Sequence, residues 1–149
     1  MIKTKAAVLF NLNKPLKIIE FDLPNPQKGE ILVKIQASGI CHTQLLEIEG
    51  KNATGSYCPN LMGHEGSGIV YAVGPSVSKV KKGDHVVLSW IKGYGNNVTP
   101  KPIKYKNMII NRGPMTTFSE YSVVSENRVT KINKKMPLKI AALLGCAVP

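Results

Sequence analysis

A chain of 149 residues, 43% hydrophobic and 19% charged, is long enough for one domain with a real core and too short for two of ordinary size. No apolar run approaches the ~20 residues of a membrane helix, and the few apolar residues after Met1-Ile-Lys-Thr-Lys lack the length and cleavage site of a secretory leader. A cytoplasmic protein is the expectation. The net charge of +11 rests on lysine, since only Arg112 and Arg128 of the 20 basic residues are arginine. Bidentate phosphate contacts favour arginine, and the lysines are scattered, so no nucleic-acid partner is expected.

In chain order, Lys5–Phe10, Leu16–Phe21 and Ile31–Ala37 are rich in Val, Ile and Leu with partial alternation, and predict strands. Turn chemistry fills Leu23–Gly29 between the last two. Thr43–Glu49 predicts one or two helical turns ended by Gly50, and Lys51–Pro59 is polar and irregular. Strands follow at Gly66–Val73 and His85–Trp90. Trp90–Pro114 breaks the rhythm with glycines, prolines, paired asparagines and four lysines, and reads as a surface excursion rather than core sheet. Phe118–Val124 and Arg128–Ile132 resume strand character, and Pro137 suits the first turn of a helix running through Leu144. Short strands at this spacing predict an all-β barrel or sandwich. The closing Ile140–Pro149 is almost wholly apolar, and such a segment needs a cover, from this domain or another.

Three cysteines without a leader do not suggest a disulfide framework; near histidines they are metal-ligand candidates. His64 lies between Gly63, Gly66 and Gly68 in Asn60–Val70, Cys41 lies in Gly39–Gln44, and Cys146 closes the apolar tail. Two thiolates and an imidazole suit zinc with its fourth position open. Buried small hydrophobes are the ordinary alternative for Cys41 and Cys146. Cys58, His85, Trp90 and the tyrosines read as structural.

The segments "GICHTQ", "GHEGSGIV", "KKGDHVVL", "TTFSEYSVV" and "AALLGC" stand in the order found in medium-chain zinc-dependent alcohol dehydrogenases. Nearly the whole chain resembles that family's catalytic domain, which implies a mainly β, GroES-like, partly open barrel with a few short helices. The resemblance implies one catalytic zinc on Cys41, His64 and Cys146, with Glu65 as a carboxylate behind it. It also implies that Thr43 takes the substrate proton, and that His42 contacts the cofactor pyrophosphate and passes the proton on.

Three departures from the family pattern follow, with one expectation about Cys146. Gln44 stands where the family usually has an Asp that orients the zinc-binding histidine, and Cys146 lies on a terminal segment with no evident anchor. No cysteine occurs in Trp90–Pro114, where many members bind a structural zinc. No Gly-x-Gly-x-x-Gly follows a strand, so residues 1–149 are expected to be the catalytic domain alone, without a dinucleotide-binding domain. The expected parent reaction is NAD- or NADP-dependent oxidation of a small alcohol or reduction of an aldehyde. The isolated chain is expected to be inactive and to self-associate, or to need a missing Rossmann domain. The alternative is a non-enzymatic remnant serving as a zinc-binding or assembly module.

Overall fold

The computed structural model describes residues 1–51 and 57–149. The middle of the irregular stretch expected over Lys51–Pro59 therefore lies outside the described residues. The strands are β1 (Ile2–Leu9), β2 (Lys17–Leu23), β3 (Glu30–Ser38), β4 (Asn60–Leu61), β5 (Glu65–Val73), β6 (His85–Ser89), β7 (Ile103–Tyr105), β8 (Met108–Arg112), β9 (Tyr121–Ser125) and β10 (Val129–Ile132). Among the described residues there are two short helices, α1 (His42–Ile48) and α2 (Leu138–Ala141), with 3-10 turns over Glu126–Arg128 and over Ala142–Gly145, the latter extending α2. Every predicted strand is present within a few residues of its expected limits.

The strands form two five-stranded sheets, ordered β2-β1-β4-β8-β7 and β10-β6-β5-β3-β9. All neighbours are antiparallel except β4 and β8. The sheets meet along β1, where Ala7 N–H donates to the Phe118 carbonyl (2.8 Å) and Glu120 N–H to the Lys5 carbonyl (3.0 Å). An isolated bridge pairs Ala6 with Ser119 between them. The result is the mainly β, partly open barrel expected.

Burial on both faces of β3 explains the arrangement. Glu30–Val33 are all buried. Because successive side chains point to opposite faces, Leu32 enters one core cluster with Val8, Phe21, Leu61 and Ile110. Ile31 and Val33 enter the other, with Val70, Val86, Leu88 and Val124. Strand β9 divides in the same way, Val123 to the first cluster and Val124 to the second.

The Trp90–Pro114 reading needs correction. Its first half is indeed surface, but Ile103–Arg112 is a hairpin, and β8 joins the first sheet beside β4. Ile103 and Ile110 pair across the hairpin and both are buried. Full burial of one such side chain is worth about 1.5–3 kcal/mol, enough to override the polar setting. Arg112 fixes the hairpin: its Nη1 donates to the Val123 carbonyl at 3.1 Å, and its Nη2 lies 3.8 Å from Glu30 Oε1. Arg128 donates to the Trp90 carbonyl. Arg128 is buried, the Arg112 side chain is 4% exposed, and both guanidinium groups are committed to the fold.

The surface half of this lobe is tied down by Glu126. One carboxylate oxygen accepts the Ser78 and Lys79 N–H groups at 2.7 and 2.9 Å, and the other accepts the Asn96 N–H at 2.9 Å and its side-chain amide. Asn127 N–H and the Ser125 hydroxyl donate to the Asn96 carbonyl, at 3.1 and 2.6 Å. Burial alone would raise the Glu126 carboxyl, but these donors outweigh it and bring it down from 4.5 to about 2.

The depressed value stabilises the fold above the unfolded pKa. That contribution, on the order of 3 kcal/mol, should be lost progressively as pH falls from 4.5 towards 2. Urea unfolding from pH 6 to 2.5 checks it. Glu126→Gln should unfold at lower urea at pH 6 and should lose much of the acid-dependent slope.

Candidate metal centre

The chain leaves β3 at Ser38 and enters α1 through Cys41, whose extended backbone (φ −93°, ψ 153°) makes it the helix N-cap. Gln44, three residues on, turns back so that its Oε1 accepts the Cys41 N–H at 2.9 Å. The Cys41 thiol in turn faces the first turn of the helix, where Thr43 contacts it. His64 arrives from the other direction, between β4 and β5, with its ring half-buried. Its Nδ1 meets Gln44 Nε2 at 2.5 Å, while Nε2 is buried and has no partner.

Cys146 comes from the far end of the chain. The tail carrying it is anchored, contrary to the expectation from sequence. Ser67 Oγ donates to the Leu138 carbonyl at 2.5 Å, and Ser89 Oγ to the Gly145 carbonyl at 2.7 Å. Ala147 N–H donates to Glu65 Oε2 at 3.1 Å. Glycine is needed at position 145, because a Cβ there would come within 2.3 Å of the Leu88 carbonyl and 2.8 Å of Glu65 Cβ. Ala141, Ala142 and Gly145 face inward, whereas Ile140, Leu143 and Val148 are exposed and leave an apolar face uncovered.

Sγ of Cys41, Sγ of Cys146 and a ring nitrogen of His64 all lie within 4.8 Å of one another. The two sulfurs are 3.9 Å apart. Tetrahedral zinc with bonds of about 2.3 Å to sulfur wants its thiolates about 3.8 Å apart, so the donor set fits zinc without rearrangement of the sulfurs. The orphaned His64 Nε2 is the nitrogen left for a third bond. Burial holds the His64 pKa below its usual value despite Glu65, which favours the neutral ring. Thr43 contributes its N–H and its hydroxyl (3.6 Å) to the Cys41 sulfur, lowering that thiol. Burial, and then the neighbouring Cys41, push the Cys146 thiol up.

Of the remaining sequence candidates, His42 and Thr43 are exposed on the first turn of α1. Glu65 is almost fully buried and directs its carboxylate to Ala147 N–H, outside the three-atom cluster. Cys58 and His85 lie outside the cluster too. A cleft of about 110 Å³ opens beside His64, lined by Gln44, Leu61, Trp90, Pro114 and Met115. Glu47 and Asn60 also line it and share a hydrogen bond of 2.6 Å. Neither was singled out in the sequence, although Asn60 opens the Asn60–Val70 stretch, because their pairing across 13 positions leaves no local pattern. No helix among the described residues is long and apolar enough to cross a membrane.

An NDMA-dependent alcohol dehydrogenase from Amycolatopsis methanolica is 36% identical over 172 aligned positions, covering 99% of this chain and 46% of the relative. An S-(hydroxymethyl)glutathione dehydrogenase from Haemophilus influenzae is also 36% identical, over 99% of this chain and 45% of its own length. Among solved structures, benzyl alcohol dehydrogenase from Acinetobacter calcoaceticus matches with a TM-score of 0.83 and 28% identity, over 98% of this chain and 45% of that one. An alcohol dehydrogenase zinc-binding domain protein from Burkholderia ambifaria matches with a TM-score of 0.85 and 26% identity, over 97% and 46%. The chain thus spans somewhat under half the length of these relatives. The family model of the alcohol dehydrogenase GroES-like domain matches residues 27–134, and the chain belongs to that family.

Proposed function

We propose that residues 1–149 are the zinc-binding catalytic domain of an alcohol dehydrogenase, acting on a small alcohol or its aldehyde together with a nicotinamide-binding domain that lies outside these residues. The observation that carries this reading is the convergence of two thiols and an unpartnered imidazole nitrogen beside a cleft. Cys41, His64 and Cys146 would hold one zinc and leave its fourth position for the substrate oxygen. Zinc there supplies Lewis acidity, and NAD or NADP supplies the hydride chemistry.

The chain's own groups do the rest. Apolar Leu61, Trp90 and Met115 along the cleft receive the carbon skeleton of the substrate. The Thr43 hydroxyl, beside Cys41, takes the proton of the alcohol. His42, exposed on the same turn, passes that proton to solvent and meets the pyrophosphate of the cofactor. Glu65 holds the segment carrying Cys146 through Ala147, and would be the carboxylate available near a bound zinc when its ligands exchange. The relatives' names support an alcohol substrate, and the Helicobacter pylori CAD structure, TM-score 0.76 at 25% identity, is a complex with NADP(H). Ile140, Leu143 and Val148 form the face that the nicotinamide-binding domain covers.

Protein purified with added zinc should carry one zinc per chain by elemental analysis. Cys41→Ser and Cys146→Ser should each remove most of it, and full occupancy in both variants would overturn the ligand assignment. The 149-residue chain alone should give no alcohol-dependent reduction of NAD or NADP with ethanol or longer primary alcohols. Turnover abolished by Cys41→Ser would show that no second domain is needed. Light scattering should find self-association of the isolated chain, relieved by Leu143→Lys with Val148→Lys.

A further inference from the structure

The amide of Gln44 is used at both ends, and its direction is forced. Its neighbour on one side is the Cys41 backbone N–H, which can only donate, so the oxygen must face it at 2.9 Å. The amide nitrogen is then left to face His64 Nδ1 at 2.5 Å. An NH₂ group can only donate, so Nδ1 must accept, and in the neutral ring the proton sits on Nε2. Nε2 is the buried nitrogen without a partner, and the one left for the two sulfurs.

A metal needs the opposite tautomer. Zinc bonds to the lone pair of a neutral imidazole, so with Nδ1 turned to residue 44 the proton must leave Nε2 and reside on Nδ1. Nδ1–H would then confront the amide NH₂. Rotating the amide gives Nδ1–H its acceptor, but sets NH₂ against the Cys41 N–H. In either orientation, metal binding leaves two donors face to face and one buried hydrogen bond unmade.

We propose that Gln44 is a positioning residue that holds His64 in the tautomer unable to ligate, and so weakens metal binding by this centre relative to the same site with a carboxylate at position 44. The proposal rests on Cys41, His64 and Cys146 being the metal ligands. On uptake, the two thiols release their protons to solvent, and the imidazole proton moves from Nε2 to Nδ1 through solvent. A glutamate at position 44 would have the same reach and two acceptor oxygens, one for the Cys41 N–H and one for His64 Nδ1–H. Its predicted effect is therefore to favour the ligating tautomer without moving the backbone.

Two measurements on wild type and Gln44→Glu test this. In metal-free protein, two-bond ¹⁵N–¹H correlation spectra distinguish imidazole tautomers, with His64 assigned through His42→Gln and His85→Gln. Wild type should show Nε2–H and Gln44→Glu should show Nδ1–H; Nδ1–H in wild type would overturn the proposal. Zinc affinity, by competition with a chromophoric chelator, should tighten about 10–100-fold in Gln44→Glu, and equal or weaker binding would also overturn it. If neither protein takes up zinc, the ligand assignment fails, and the predicted gain in affinity fails with it. The tautomer spectra remain decisive for what Gln44 does to the ring.

Discussion

A buried carboxylate next to the candidate metal centre organises the region. Glu65 is 1% exposed, and burying a carboxylate is tolerable only when hydrogen bonds replace the lost water. The Ala147 N–H supplies one such bond, which draws the chain's last residues against the start of β5. The Glu65 backbone carbonyl accepts the Ser38 and Thr117 hydroxyls at 3.0 and 2.9 Å, tying the end of β3 and the approach to β9 to the same residue. Cys41, His64 and Cys146 each lie within three residues of a member of this small network. Their convergence, across 105 positions of sequence between the two thiols, follows from it.

The network is precise because its supports are stiff. Strand β3 is packed on both faces and carries the chain directly to Cys41, while β5, its partner along most of its length, begins immediately after His64. Side chains at the ends of central strands inherit the positional certainty of the sheet, which a site built wholly on loops would lack. The tail bearing Cys146 is held by side-chain hydrogen bonds rather than strand pairing.

Much of this was legible in the sequence, for identifiable reasons. Runs such as Ile31–Ala37 and Gly66–Val73 announce strands through β-branched content. The three candidate ligands stand out because thiol and imidazole groups in ordered motifs are rare. The β7–β8 hairpin escaped because three- and five-residue strands set among lysines and asparagines carry too little pattern, although Ile103 and Ile110 are core residues. Strand β4 has two residues and therefore no period at all. Glu126 gave no local signal, since its partners lie 30 to 48 positions earlier in the chain. The identity of Gln44 was visible as a departure, but not the direction of its amide, which depends on a backbone N–H meeting it in space.

The Glu126 clasp has a consequence for how the protein meets its surroundings. A lobe fastened by thiolates around a metal is vulnerable to peroxide, to alkylating agents and to competition for zinc. Here the corresponding stretch is fastened by one carboxylate and a set of amide and hydroxyl donors, none of which can be oxidised under mild conditions or withdrawn by a chelator. Scarcity of metal would thus fall on the Cys41, His64 and Cys146 cluster, and a burst of oxidant on the thiols of Cys41, Cys58 and Cys146, none of which belongs to the clasp. The vulnerability moves to acid, the one condition that removes the charge from the clasp.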